Sequence, residues 1–502
     1  MFAQEVFSQV ASSEETTLGH TLELVSPILG EYVLGSEDAT ERMVTSVLLD
    51  TPYGRRTLGI SQLSTTKAWE TIPGTSRFSR FGHIADLAKM IIDTGRARSR
   101  PEAEIRAQIR VTAFPDGAQG PFSHYADIAV EGVGQTEDFH DYRKTEAQMA
   151  GGAWHPLRRH APLDDYPGYL RSETLPPWAE CSAPRLCTDR LQYNGCEGVL
   201  WYDNVPGASA EQIQNTLRAA VKPEQLFVNG DQNFVFEDAD VALVFAKQAL
   251  LHGTEHWAHP AKRLQQYLLV GAIQSEVLQG SLPATEMLEN DWGERNPLDC
   301  LYALDSDVVR PMQYGDDPYL ALVDAALTAL GAEARAQFKT SVGDYMQFVL
   351  DEQARDYPSA EGFAYSTIVD EAPYGGINLP APKYRWVDPL VRTARGDQPL
   401  SSVSAAYKAV LAAHQARQAK THHVTALHIT EGGDDAAAYN ELLYNTRVAS
   451  DNFGFELERN RRVRPHPALP AFMRRAGHLA LDEARERGVF SLVAPGISRV
   501  TT

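Results

Sequence analysis

The sequence predicts a mainly α-helical fold with a β-hairpin near its start and a smaller α+β region after it. Three observations carry that prediction. From about residue 40 onward apolar residues recur with helical period: Met43, Val47 and Leu48 share one face, and Ile84, Leu87 and Ile91 share another. Residues 21–35 are instead apolar residues punctuated by Pro27, Gly30 and Gly35, the pattern of a short hairpin. From about residue 360, Pro- and Gly-rich loops alternate with short β-like runs, Val424–Ile429 and Phe453–Leu457.

Taken in order, residues 1–20 are polar and form an N-terminal segment. The hairpin opens a helical unit over 21–355, with helices expected at 81–94, 102–114, 122–131, 209–220, 238–256, 260–279, 317–330 and 332–354. Within it, residues 132–184 are rich in Gly, Pro and His and read as a loop-rich insertion. That stretch is too long for a simple connection, which makes it a functional insertion or a lid. Residues 356–502 form the C-terminal α+β region.

The chain has 502 residues, 43% of them hydrophobic, enough for a large core. Its 66 acidic residues against 46 basic ones give a net charge of −20. Broad binding to nucleic acid or to an anionic membrane rests on a cationic surface and is not expected. A local basic pocket for one phosphorylated small molecule remains compatible with that charge. Four cysteines (Cys181, Cys187, Cys196 and Cys300) are too few for a disulfide scaffold, and no pair has the two-residue gap of a zinc knuckle; reduced thiols are expected. The first residues have neither the basic region nor the apolar core of a signal peptide. No stretch reaches the apolar length that crosses a bilayer, so a soluble, cytoplasmic protein is expected.

Three residues draw attention for chemistry. His83 lies in the helical segment 81–94 beside Ile84 and Leu87, where a lone histidine is more often a satisfied core residue than a ligand. Asp116 follows Pro115 after the run 102–114 and can cap the next turn. Asp189, after Thr188, reads as an N-cap for Arg190–Glu197. Singly, each has a structural explanation.

Their surroundings change the weighting. The order runs Ser26-Pro-Ile-Leu-Gly-Glu-Tyr-Val-Leu-Gly35, Leu49-Asp-Thr-Pro-Tyr53, Arg55-Arg56, Ile60-Ser-Gln-Leu63, Pro73-Gly74 and Arg80-Phe-Gly-His83. Next come Phe114-Pro-Asp-Gly-Ala-Gln-Gly-Pro-Phe-Ser-His124, with Asp127 three residues on, and Thr188-Asp-Arg-Leu-Gln-Tyr193. Pro382–Leu390 and Leu400–Val403 follow. This succession resembles the motifs of the HD-domain phosphohydrolases, helical metalloenzymes that include the deoxynucleoside triphosphate triphosphohydrolases. The resemblance implies an HD-type helical core in which His83, Asp116 and Asp189 are metal ligands. It implies that Gln62, Arg80, Arg190 and Tyr193 bind substrate, and that His124 and Asp127 form an acid–base unit. It also implies a phosphorylated ligand, a nucleotide in the first place, and a homo-oligomer. The chemistry is coherent: one imidazole and two carboxylates can hold Mn²⁺, Fe²⁺ or Mg²⁺ with positions left for water and phosphate. Arginines can take phosphate oxygens bidentately.

The sequence also departs from the pattern. Pro115, which has no lone pair for a metal, stands where a ligand histidine is expected, so metal binding should be weakened. Gln119 and Thr145 stand at two further histidine positions, and Gln192 and Glu197 replace aspartates. His140, in Phe139-His140-Asp141, is a replacement ligand to weigh against a plain surface-loop pair; His155 and His160 are weaker candidates. His422 and His423 begin a β-like run, where neighbours face opposite ways and do not chelate together. The expected function is a divergent phosphohydrolase-like protein that binds a nucleotide or related phosphate ester, with metal-dependent hydrolysis weak or lost. The alternative is a catalytically silent regulator or scaffold on the same fold. A di-iron oxygenase on that fold needs more histidines than remain.

Overall fold

The structure is a computed structural model. It describes residues 21–35, 37–62, 69, 78–131, 139–163, 175–279, 299, 302–356, 358, 366–368, 377–379, 386–418, 422–427, 436–460, 468–486 and 491–493. Leu63, Pro73, Gly74, Cys300 and the N-terminal twenty residues lie outside the described residues.

The fold is mainly α, as its period predicts, and the hairpin is where Pro27 and Gly30 place it. Strands β1 (Thr21–Ser26) and β2 (Gly30–Leu34) pair antiparallel from Leu22↔Leu34 to Ser26↔Gly30. Gly30 turns the chain at φ 75°, a conformation that costs a residue without Cβ little. Helices α1 (Ala39–Thr45) and α2 (Pro52–Arg56) lead to α3 (Arg80–Ala97), whose N-cap Ser79 accepts from Gly82 N. Then come α4 (Glu102–Thr112) and α5 (His124–Glu131).

The expected loop-rich insertion needs correction. Among its described residues run two helices, α6 (Phe139–Ala150) and α7 (Trp154–His160). The inward face of α6 carries His140, Arg143 and Gln148, all buried, so the apolar stripe that betrays a helix is interrupted by polar side chains.

Helix α8 (Thr188–Trp201) is buried over most of its circumference. Gly195 lets the hairpin press onto it: a Cβ there would lie 1.9 Å from Ile28 Cδ1. Helix α9 (Ala208–Ala220), the β3–β4 pair (Leu226–Val228, Phe234–Phe236) and α10 (Ala239–Leu251) follow, then α11 (Pro260–Gln279) and α12 (Asp305–Tyr314). Where two helices are expected at 317–330 and 332–354, one continuous α13 (Pro318–Leu350) runs through Gly331. That glycine serves close packing rather than a break, since a Cβ on it would come 3.0 Å from the Trp69 carbonyl oxygen.

Strands β5 (Ser366–Ile368), β6 (Ile377–Leu379), β7 (Leu390–Thr393), β8 (Gly396–Pro399) and β9 (His422–Leu427) form small sheets, with β9 between β5 and β6 and β7 beside β4. The first part of the Val424–Ile429 run is thus a strand. Phe453–Leu457 is not: it lies within α16 (Ala436–Asn460), after α14 (Leu400–Val403) and α15 (Ala405–Gln418). Its alternation does not mark a strand face, since Phe453 is buried while Phe455 faces solvent. Helix α17 (Leu469–Glu486) packs on α2, with Gly477 so close that a Cβ would sit 3.1 Å from Pro52 Cα. Strand β10 (Ser491–Val493) then pairs antiparallel with β1. Among the described residues no helix is long and apolar enough to cross a membrane.

Candidate metal centre

Three turns from distant parts of the chain converge. His83 stands in the first turn of α3, Asp116 in a 3₁₀ turn (Phe114–Ala118) after α4, and Asp189 in the first turn of α8. The Asp116 turn is held from behind. Fully buried Arg56 donates through Nη2 to Gly117 O at 2.9 Å and also to Gln119 O, and the Tyr53 hydroxyl donates to Phe114 O. Gly117 is required there, because a Cβ would meet Tyr53 Cε1 at 2.5 Å. The Asp305 carboxylate accepts from Ser61 N at 2.7 Å and from Phe122 N at 2.6 Å, tying the two chain segments beside the site. Phe122 and Ser123 both take the left-handed conformation, φ 56° and 57°. Such residues cost on the order of 1–3 kcal/mol each and persist where the surroundings over-determine them. The bend they make starts α5 at His124.

The geometry within the cluster fits a cation. His83 Nε2 lies 2.9 Å from Asp116 Oδ2 and 3.3 Å from Asp189 Oδ1. Neither contact is aligned as a hydrogen bond to Nε2. An ion held at about 2.1 Å keeps neighbouring ligand atoms about 3 Å apart and off one another's bonding axes. The other ring nitrogen is committed: His83 Nδ1 lies 2.5 Å from Gln192 Oε1, while Gln192 Nε2 donates to Asp86 Oδ2 at 3.0 Å. That pairing sets the amide orientation and makes Nδ1 the donor. Asp86 also accepts from Ser26 Oγ at 2.7 Å and from the Tyr32 hydroxyl at 2.8 Å, so the hairpin anchors the chain of bonds behind His83. Metal-binding histidines are characteristically oriented by such a partner. Burial pulls His83 down, but the carboxylates of Asp116 and Asp189 beside its Nε2 carry it up to about 9. Burial likewise raises Asp116, yet Arg80, then His83, hold it well below the usual carboxylate range.

Beside this trio stands a second, made of His124, Asp127 and His140; within each trio one ligand atom per residue lies within 4.8 Å of the others. Asp127 Oδ2 is 2.8 Å from His140 Nδ1 and 3.2 Å from His124 Nδ1, and Asp127 Oδ1 accepts from His140 N at 3.0 Å. His140 is therefore no surface-loop residue. It is buried on α6, with Nε2 3.7 Å from Asp116 Oδ1. Burial lowers His140, but Asp127 overrides it and lifts the imidazole to about 9. A crevice of about 10 Å³, room for roughly one water, is lined by Gly120, Asp127, His140, Arg143 and Tyr302 among others.

The other expected residues divide. Arg80 is buried, donates through Nη1 to Asp116 Oδ2 at 2.9 Å, and keeps Nε and Nη2 without a hydrogen bond among the described residues. Gln62 Oε1 and both amide atoms of Gln119 are buried in the same condition. Tyr193 is buried edge-on to Trp257, with ring centroids 5.4 Å apart. Arg190 is not brought to the cluster. Its guanidinium turns to the 180–187 loop, donating to Cys181 O and to Arg185 O, the latter at 2.7 Å. Asp189 is not the N-cap of α8 either; Cys187 holds that position, which frees the Asp189 carboxylate for His83. Sequence reasoning missed Asp86, Ser26 and Tyr32. The available signal was the three-residue step from His83 to Asp86, which puts both on one helix face.

No protein-family model matches the chain, and no curated protein matches it. Among solved structures the chain is similar to a phosphohydrolase from Bacteroides thetaiotaomicron VPI-5482, at 14% identity over 76% of this chain and 94% of that one, with a TM-score of 0.44.

Proposed function

We propose that the chain holds one divalent cation with His83, Asp116 and Asp189 and binds a phosphate ester, a nucleotide or a close relative, beside it, with hydrolysis weak or lost. The observation that carries this reading is the convergence of an imidazole and two carboxylates with the buried, half-used guanidinium of Arg80. When bound, such an ion neutralises phosphoryl oxygens and lowers the pKa of a coordinated water.

The chain's own groups supply the rest. Arg80 offers two N–H directions, from Nε and Nη2, to an anion while Nη1 stays on Asp116. The Gln119 amide offers a donor and an acceptor from the next turn, and Gln62 an acceptor. Asp127 fixes the ring of His140 and keeps it charged, so His140 can present a proton at Nε2 toward the Asp116 side. One feature supports weak turnover: Pro115, which has no lone pair for a metal, stands where the resemblance expects a ligand histidine.

A second reading has its own support. Arg80, Asp116 and His83 are already within ion-pair distance, so the cluster can be a purely structural network in a silent scaffold. Thermal melts separate the two. A phosphate site predicts that deoxynucleoside triphosphates with Mn²⁺ raise the melting temperature, since a ligand of the folded state stabilises it by mass action. Arg80→Ala should then remove a charge-assisted contact worth about 1.5–3 kcal/mol of binding and abolish the shift. A structural network predicts that Arg80→Ala lowers the melting temperature without ligand, while no nucleotide, with or without Mn²⁺ or Mg²⁺, moves the wild type. Metal content and phosphate release from a nucleotide panel then measure what catalysis survives.

A further inference from the structure

The loop that enters α8 carries two thiols whose arrangement the metal centre does not explain. Cys181 is partly exposed and Cys187 is buried at the N-cap of the helix. One nitrogen, Arg190 Nη1, lies 3.5 Å from Cys181 Sγ and 3.4 Å from Cys187 Sγ, which brings both sulfurs against one guanidinium. The same side chain bonds the carbonyls of Cys181 and Arg185 and so closes the loop onto the helix. The loop is fastened elsewhere as well: Thr188 N donates to Trp178 O at 2.8 Å, and Asp388 N donates to Pro184 O at 2.8 Å. Glu180 Oε1 lies 3.6 Å from Cys187 Sγ. These three residues do not close into a metal-sized group as the His83 and His140 trios do, so a soft-metal site is not indicated among the described residues.

We propose that Cys181 and Cys187 form a dithiol modification site that small disulfides, such as glutathione disulfide, oxidise to an intramolecular disulfide. The inference stands apart from the function assigned to the metal centre. Cys181 is the attacking group: it is the more accessible thiol, and a guanidinium beside a sulfur favours the thiolate. Its hydrogen bond from Cys187 comes first, and with Arg190 it outweighs burial and brings the Cys181 thiol down to about 7. Cys187, out of solvent and bonded to Cys181, is placed to resolve the intermediate.

The steps balance. The Cys181 thiolate attacks one sulfur of the small disulfide; a mixed disulfide forms and one glutathione thiolate leaves. Cys187 gives up its proton and attacks Cys181 Sγ, forming the Cys181–Cys187 bond and expelling the second glutathione thiolate. The two thiolates take up the two protons lost by the cysteines. Two protein thiols are oxidised, and one disulfide is reduced to two thiols. The new bond forms two residues before Asp189, so the oxidised and reduced chains differ next to the candidate metal ligand.

The test uses the full chain, treated with glutathione disulfide near neutral pH, quenched with acid and examined by intact mass and non-reducing peptide mapping. The expected product has lost two hydrogens, carries no glutathione and joins the Cys181 and Cys187 peptides. Cys187→Ser should stop at a glutathione adduct on Cys181, and Cys181→Ser should slow all modification at this loop at least about tenfold. Arg190→Gln should slow alkylation of Cys181 at neutral pH about fivefold, the loss of thiolate being partly offset by its greater intrinsic nucleophilicity. A wild-type chain that keeps a stable glutathione adduct on Cys181, links Cys196 or Cys300 instead, or does not react overturns the proposal.

Discussion

Replacing Gln192 with Leu isolates the bond that orients the candidate ligand. The side chains are similar in volume, so the change removes the Oε1 acceptor 2.5 Å from His83 Nδ1 and the Nε2 donor 3.0 Å from Asp86 Oδ2 without opening a large cavity. Loss of an orienting partner behind a metal-binding histidine lowers affinity about 10–100-fold, or roughly 1.4–2.8 kcal/mol. A second effect falls on the fold itself. The His83 N–H loses its acceptor in a buried site, which costs about 1–3 kcal/mol. Asp86 keeps Ser26 and Tyr32, so its own loss is smaller. Calorimetric titration with Mn²⁺, paired with a thermal melt of the metal-free chain, reads both effects. The expected result is a dissociation constant raised about 10–100-fold together with a lower melting temperature. A variant that melts lower but binds Mn²⁺ within about twofold of the wild type would refute the reasoning, since an orienting bond worth 10–100-fold would then be absent.

Three further outcomes follow from the same geometry. His83 stands at about 9 in the metal-free chain, so near neutral pH a cation must displace its proton. Affinity should therefore rise about tenfold per pH unit up to about 9 and flatten above it, with close to one proton released; a flat profile contradicts ligation by His83. Pro115→His places an imidazole next to Asp116 and frees a fixed φ, and should tighten Mn²⁺ binding; unchanged affinity means that position does not face the ion. Gly117→Ala drives a Cβ to 2.5 Å from Tyr53 Cε1. That overpacking should cost about 1–3 kcal/mol in a melt and weaken Mn²⁺ binding through the displaced Asp116 turn.

What was legible in the sequence depended on which face of each element is polar. The hairpin and helices such as α9 declare themselves by period and punctuation. Helix α6 does not, because His140, Arg143 and Gln148 point inward and break its apolar stripe. His83, Asp116 and Asp189 could be singled out because motif spacing survives divergence, and the structure brings them together. The supporting bonds were hidden, since nothing local to Ser26 or Tyr32 announces a carboxylate some 54–60 residues away. Arg190 shows the opposite failure. It adjoins Asp189 in sequence, but one helical step turns its side chain toward the cysteines.

The pairing of β10 with β1 has a kinetic meaning. Its partners, Thr21 and Val493, are roughly 470 positions apart, and β1 ends at Ser26, which holds Asp86 behind His83. At equilibrium such a distant contact is cheap, because loop-closure entropy grows only by about 0.6 kcal/mol per doubling of length. In time it is expensive, since contacts of large sequence separation slow folding. The bonds that orient the imidazole therefore lean on a strand whose pairing with β10 is expected to form late in folding, once α17 packs on α2. A cation present from the first moment of refolding has no finished site to select, so Mn²⁺ should stabilise the product of refolding without accelerating its formation.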